Sequence, residues 1–104
     1  MTLGGQENVI YSFKGGTDGC TPFAGLVVLT NLLYGATFGS SSCSSNGTIF
    51  RVASNGAETT LHAFAGGKDG ANPYGGLVVV KGKLYGTTQN AGLHNTGTVF
   101  SITP

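Results

Sequence analysis

The chain states the same sentence twice. Residues 7 to 37 and 58 to 88 align without a gap at an offset of 51, and 15 of those 31 positions are identical. Phe13, Gly15, Gly16, Asp18, Gly19, Pro22, Gly25, Leu26, Val27 and Val28 return as Phe64, Gly66, Gly67, Asp69, Gly70, Pro73, Gly76, Leu77, Val78 and Val79. Leu33-Tyr34-Gly35 returns as Leu84-Tyr85-Gly86. After a one-residue difference in loop length, Gly47-Thr48-Ile49-Phe50 returns as Gly97-Thr98-Val99-Phe100. A period near fifty residues is that of a blade, coil or trefoil lobe, a unit that buries its apolar face only against a copy of itself. We therefore read the 104 residues as one domain of two repeats, about 7–57 and about 58–104.

Within each unit, four short segments of β-branched and aromatic residues are separated by turn clusters, the rhythm of sandwiches, barrels and propellers. In the central unit they are Gly25 to Leu29, Leu32 to Phe38, Thr48 to Ala53 and Glu58 to Phe64, which predicts a four-stranded meander. Thr30-Asn31 and Lys81-Gly82 have the length of two-residue hairpin loops, and Ser54-Asn55-Gly56-Ala57 joins the third strand to the fourth. Leu26 to Leu29 and Leu77 to Val80 are apolar at consecutive positions, which predicts cover on both faces, with polarity rising toward the third and fourth strands. The fold class is all-β, with two four-stranded propeller-like blades.

The order of segments adds an expectation about assembly. The sequence opens on a lone fourth strand, Asn8 to Phe13, with Val9, Ile10, Tyr11 and Phe13 as its apolar residues, and closes on strands one to three of the second unit. The N-terminal strand is expected to complete a C-terminal sheet. Since a ring takes roughly 4 to 8 blades, closure calls for homo-oligomerisation, in which each chain donates that strand to its neighbour. The alternatives are an open fibre assembled by the same strand donation and a β-trefoil-like arrangement.

Composition narrows the function. Charged residues make up 9% of the chain and the net charge is +1, so no basic stripe exists for nucleic acid. No apolar run approaches the roughly 20 residues of a membrane helix. Residues 1 to 5 lack the basic and hydrophobic regions of a secretory signal, so an export signal is expected to have been removed or to lie outside this sequence.

Candidate site residues are few. Cys20 and Cys43 both lie in the first copy, and the corresponding positions of the second, Ala71 and the loop 89–94, lack cysteine. The loop entering strand one and the loop joining strands two and three leave a meander at the same edge, which favours a Cys20–Cys43 disulfide, and with it an oxidising compartment, over free thiols or zinc. Asp18 and Asp69 sit on repeated glycine-rich loops, followed by the aromatics Phe23 and Tyr74. Together they form a candidate glycan-binding rim, against which stands the simpler reading that the carboxylates close turns on neighbouring downstream backbone N–H groups and the rings pack between blades. Tyr34 and Tyr85 are read as structural. His62 and His94 occupy unrelated places in the repeat and the carboxylates are only Glu7, Asp18, Glu58 and Asp69, so no catalytic residue, metal site or cofactor is predicted.

Asp-Gly-x-x-Pro-x-x-Gly-Leu at Asp69 to Leu77, Leu-Tyr-Gly-Thr-Thr at Leu84 to Thr88 and Gly-Thr-Val-Phe at Gly97 to Phe100 together resemble the GloVer-type tandem repeat of bacterial surface and secreted proteins. The first copy departs at Ala36, where the second has Thr87. The resemblance implies an extracellular, propeller-like array, commonly with more units in one chain. The expected function is a non-enzymatic, self-assembling scaffold at the cell exterior or surface, whose partner is itself. A lectin-like multivalent glycan binder and a strand-donated extracellular filament are the alternatives.

Overall fold

The computed structural model describes residues 8–15, 18–22 and 25–104. Among them there is no α-helix, and eight strands form two antiparallel sheets. Sheet 1 is the expected meander of β1 (Val27–Leu29), β2 (Leu32–Thr37), β3 (Thr48–Val52) and β4 (Glu58–Ala63). Sheet 2 contains β5 (Ala71–Pro73), β6 (Val78–Val80), β7 (Lys83–Asn90) and β8 (Thr98–Ile102). The long β7 pairs with β5 and β6 along one edge and with β8 along the other. Strand β5 was not foreseen. Its counterpart in sheet 1 is the single bridge between Pro22 and Thr37.

The hairpin loops follow their turn chemistry. Thr30 and Asn31 have φ of 49° and 64°, and Lys81 and Gly82 have 50° and 79°. Two successive positive φ values give the turn whose twist matches that of paired strands. The loop from β3 to β4 closes with Ala53 N–H donating to Ala57 and Gly56 N–H donating to Ala53, while Asn55 Oδ1 accepts from Ala57 N–H.

Register divides each sheet into two faces, since residues paired across strands project to the same side. In sheet 1 the front carries Val27, Leu29, Leu32, Tyr34, Ala36 and Ile49, and the back carries Val28, Leu33, Phe50 and Val52, with Leu26 just ahead of β1. In sheet 2 the front carries Val78, Val80, Lys83, Tyr85, Thr87 and Val99, and the back carries Val79, Leu84, Phe100 and Ile102, with Leu77 just ahead of β6. The front of sheet 1 lies on the back of sheet 2. Tyr34, Ala36 and Ile49 from one, Leu77 and Leu84 from the other, and Phe64 at the seam form one buried cluster. Phe64 meets Phe100 edge to face, with ring centroids 5.2 Å apart. Burial of apolar side chains, worth about 1.5–3 kcal/mol each, holds the sheets together.

Within the single chain two expectations are corrected. The apolar β1 and β6 are not covered on both faces: Val28 is 67% exposed, and Val78, Val79 and Val80 are also exposed. Cover on both sides needs a neighbour on both sides, and two stacked sheets give each other only one. The third strand does not lie nearer the outside either, because β3 is the most enclosed strand of sheet 1, with Thr48, Ile49, Phe50 and Val52 all buried. The segment expected to be donated to a neighbouring copy, Asn8 to Phe13, forms no ladder within the single chain. It lies instead against the back of sheet 1, where Phe13 meets Phe50 edge to face at 5.0 Å. Within the single chain, β8 pairs with β7 alone among the described strands.

Candidate functional site

The rim of glycine-rich loops is built twice by the same contacts. In repeat 1, Asp18 Oδ2 accepts from the backbone N–H of Lys14, four residues upstream, at 3.1 Å and from the Tyr11 hydroxyl. In repeat 2, Asp69 accepts from the backbone N–H of Ala65, again four residues upstream, at 2.8 Å and from His62 Nε2 at 3.0 Å. Tyr11 and His62 are equivalent residues. The turn-closing reading of both aspartates therefore describes their contacts, with the N–H groups lying upstream rather than downstream. Asp18 is buried, whereas His62 and Asp69 form a partly exposed hydrogen-bonded pair.

Each aspartate is followed by a glycine whose conformation the loop requires. Gly19 and Gly70 have φ of 90° and 91° and press against a threonine pair beneath them. In repeat 1 the pair is Thr37 and Thr48, hydroxyl to hydroxyl at 2.8 Å, and in repeat 2 it is Thr88 and Thr98 at 2.7 Å. In both, the first threonine also accepts the backbone N–H of the second at 3.0 Å. A Cβ on Gly70 would stand 2.6 Å from Thr88 Oγ1, so a side chain there collides as well as straining the backbone.

The hydrogen bond to Asp18 is the main cause that pushes the Tyr11 hydroxyl up to about 12, with burial and the nearby charges of Glu58 and Asp18 adding to it. Burial pushes the Glu58 carboxyl up, against the Thr60 hydroxyl, which donates to it at 3.2 Å.

The predicted disulfide is present. Cys20 and Cys43 are bonded, with Cα atoms 6.6 Å apart, and tie the loop before β1 to the short 3-10 turn Ser41–Cys43 after β2. Repeat 2 joins the corresponding loops by a hydrogen bond, Gly92 N–H to the Gly67 carbonyl at 2.7 Å. Of the candidate rim aromatics, Tyr74 is 49% exposed and its ring approaches Phe38 of sheet 1 edge to face at 6.3 Å, while Phe23 lies outside the described residues. Among the described residues no group of three or more His, Cys, Asp or Glu is placed to hold a metal. No helix of the described residues is long and apolar enough to cross a membrane.

Residues 1–104 match the family described as the Gloeobacter/Verrucomicrobia repeat. The chain belongs to this family. Comparison with curated proteins and with solved structures gave no match.

In this Gloeobacter/Verrucomicrobia repeat chain two features escaped the sequence reading. One is Asn72, at φ 60°, whose backbone N–H donates to the Asn46 carbonyl at 2.6 Å and whose Nδ2 donates to the Phe38 carbonyl at 2.9 Å, linking the two sheets. Its equivalent Thr21 takes the same left-handed conformation, φ 63°, which a β-branched residue rarely adopts. The other is the unequal burial of equivalent residues. Ile49 is 0% exposed and its counterpart Val99 is 80% exposed, while Leu26 is 52% exposed and its counterpart Leu77 is 4% exposed. Gly76, Val78, Tyr85, Gly86, Thr87 and Val99 line an open apolar groove of about 280 Å³ on the front of sheet 2. A second cleft, of about 400 Å³, lies between residues 43–48 and Ala63-Phe64.

Proposed function

We propose that the chain is a non-enzymatic, self-assembling β-repeat scaffold module of the cell exterior. The observation that carries this reading is the contrast between Ile49 and Val99. The same position in the same structural unit is enclosed where a second unit lies over it and open where none does. An apolar groove left without cover on a sheet face marks an interaction site. The disulfide supports an oxidising compartment and hence the exterior.

The test is molar mass in solution across a wide range of concentration. Mass that rises with concentration, seen as rings or fibres by electron microscopy, is the expected result. A well-folded chain that stays monomeric throughout would overturn the reading. The exposed Tyr74 ring gives a glycan-binding reading its main support, but Asp18 and Asp69 already hold their own turns. A glycan array read with wild type and with the double variant Asp18→Ala, Asp69→Ala decides that alternative, since it requires binding that the double variant loses.

A further inference from the structure

The interface between the two sheets is a template for a second one. Shifting every residue of the front of sheet 1 by one repeat gives the open front of sheet 2, and shifting the back of sheet 2 by one repeat gives the back of sheet 1. On the back, Leu77, Val79, Leu84, Phe100 and Ile102 correspond to Leu26, Val28, Leu33, Phe50 and Val52, apolar at every position. On the front, Val27, Leu29, Tyr34 and Ile49 correspond to Val78, Val80, Tyr85 and Val99, while Leu32 and Ala36 correspond to the polar Lys83 and Thr87.

The segment 8–13 already stands where this template requires it. In the existing interface, Phe64, just past β4, meets Phe100 on the back of sheet 2 at 5.2 Å, and two further contacts hold it there: His62 against Phe64 at 4.7 Å and the anchoring of His62 and Ala65 N–H to Asp69. On the back of sheet 1 the same three recur. Tyr11 meets Phe13 at 5.1 Å, Phe13 meets Phe50 at 5.0 Å, and Tyr11 and Lys14 N–H are anchored to Asp18. The segment thus holds the place of a fourth strand from a preceding sheet.

Building on the self-assembly reading, we infer that a second copy of this chain docks the front of its sheet 2 on the back of sheet 1, with its β8 edge pairing to residues 8–12 in one register. Strands β3 and β4 pair Thr48 with Ala63, Ile49 with His62, Phe50 with Thr60 and Arg51 with Thr59, with a bulge between Ile49 and Phe50. Shifted by one repeat, the register between copies sets Thr98 opposite Ser12, Val99 opposite Tyr11, Phe100 opposite Val9 and Ser101 opposite Asn8, with the bulge at Ile10. Val99 is then enclosed as Ile49 is. The anchors Tyr11–Asp18 and Phe13–Phe50 form the socket before the partner arrives, so docking needs little rearrangement.

Two variants test this on the full chain with its native disulfide intact. Asn8→Cys with Ser101→Cys, oxidised under mild conditions, is expected to give a ladder of covalent dimers and higher species on a non-reducing gel. Asn8→Cys with Val99→Cys, two residues out of register, is expected to give far less. Val99→Asp, at a position that is exposed in the single chain and so leaves its fold intact, is expected to weaken association at least ~10-fold, because it places a carboxylate in a dry interface. Association that ignores Val99→Asp, or cross-linking that favours the slipped pair, would overturn this docking mode and leave self-assembly standing. A bond between residues 8 and 101 of one chain would also overturn it. A wild-type chain that remains monomeric would overturn both.

Discussion

The two sheets are built from repeats identical at 15 of 31 aligned positions, yet they bury opposite faces. In sheet 1 the front is packed and the back is partly covered by residues 8–13. In sheet 2 the back is packed and the front is open. Their local structure agrees down to the threonine pair and the aspartate that closes its loop. Burial in a repeat protein is therefore a property of position in the array rather than of the unit, as expected where stability is a sum of unit and nearest-neighbour terms.

The sharpest way to break this comparison is to truncate the two equivalent core positions. Ile49→Ala removes a fully buried side chain and is expected to cost about 2–5 kcal/mol of unfolding free energy, whereas Val99→Ala, measured at a concentration where the chain is monomeric, should change it by less than about 0.5 kcal/mol. Urea unfolding of the two variants measures the difference. Similar costs would mean that the front of sheet 2 is enclosed in the monomer after all. The next largest effect lies in the cross-link carried by sheet 1 alone. Replacing Cys20 and Cys43 together by Ser opens a loop with a sequence separation of 23 and is expected to cost about 3 kcal/mol, visible as a lower denaturation midpoint that reductant no longer shifts.

Smaller effects separate the two loop carboxylates. Asp18→Ala removes a buried acceptor of two hydrogen bonds and is expected to destabilise by about 1–3 kcal/mol. Asp69→Ala breaks a partly exposed pair and a backbone contact and is expected to cost about 1 kcal/mol or less. Thermal melts of the two variants rank them. The smallest effect is a titration. The Tyr11 hydroxyl is raised from 10.0 to about 12 in the folded chain. Its contribution to stability is thus fully present below the ordinary tyrosine range and is lost as pH climbs from about 10 to about 12. Phenolate absorbance should show a late ionisation step that Tyr11→Phe diminishes.

Much of the fold was legible because the repeat compared itself with itself. Matching turn pairs at Thr30-Asn31 and Lys81-Gly82 placed the hairpins, and the paired presence of Cys20 and Cys43 pointed to their bond. Strand ends were less legible: β1 begins at Val27, and Gly25 and Leu26, read as part of the strand, take no place in the ladder. The run Leu26 to Leu29 reads as covered on both faces, and local pattern carries no information on how many neighbours are there to cover it. At the rim, Asp-Gly spelled a turn, but the choice of upstream N–H groups depends on how the preceding segment returns past the loop. The contacts of Asn72 arise only once two sheets are stacked, so no single unit encodes them.

The covalent tie between Cys20 and Cys43 has no counterpart in the second repeat, which relies on Gly92 and Gly67 at the matching place. In the proposed stacking, cross-linked and uncross-linked layers would alternate. A reducing environment would then loosen every other layer and leave its neighbours intact, giving the whole assembly a built-in periodic weakness to thiols.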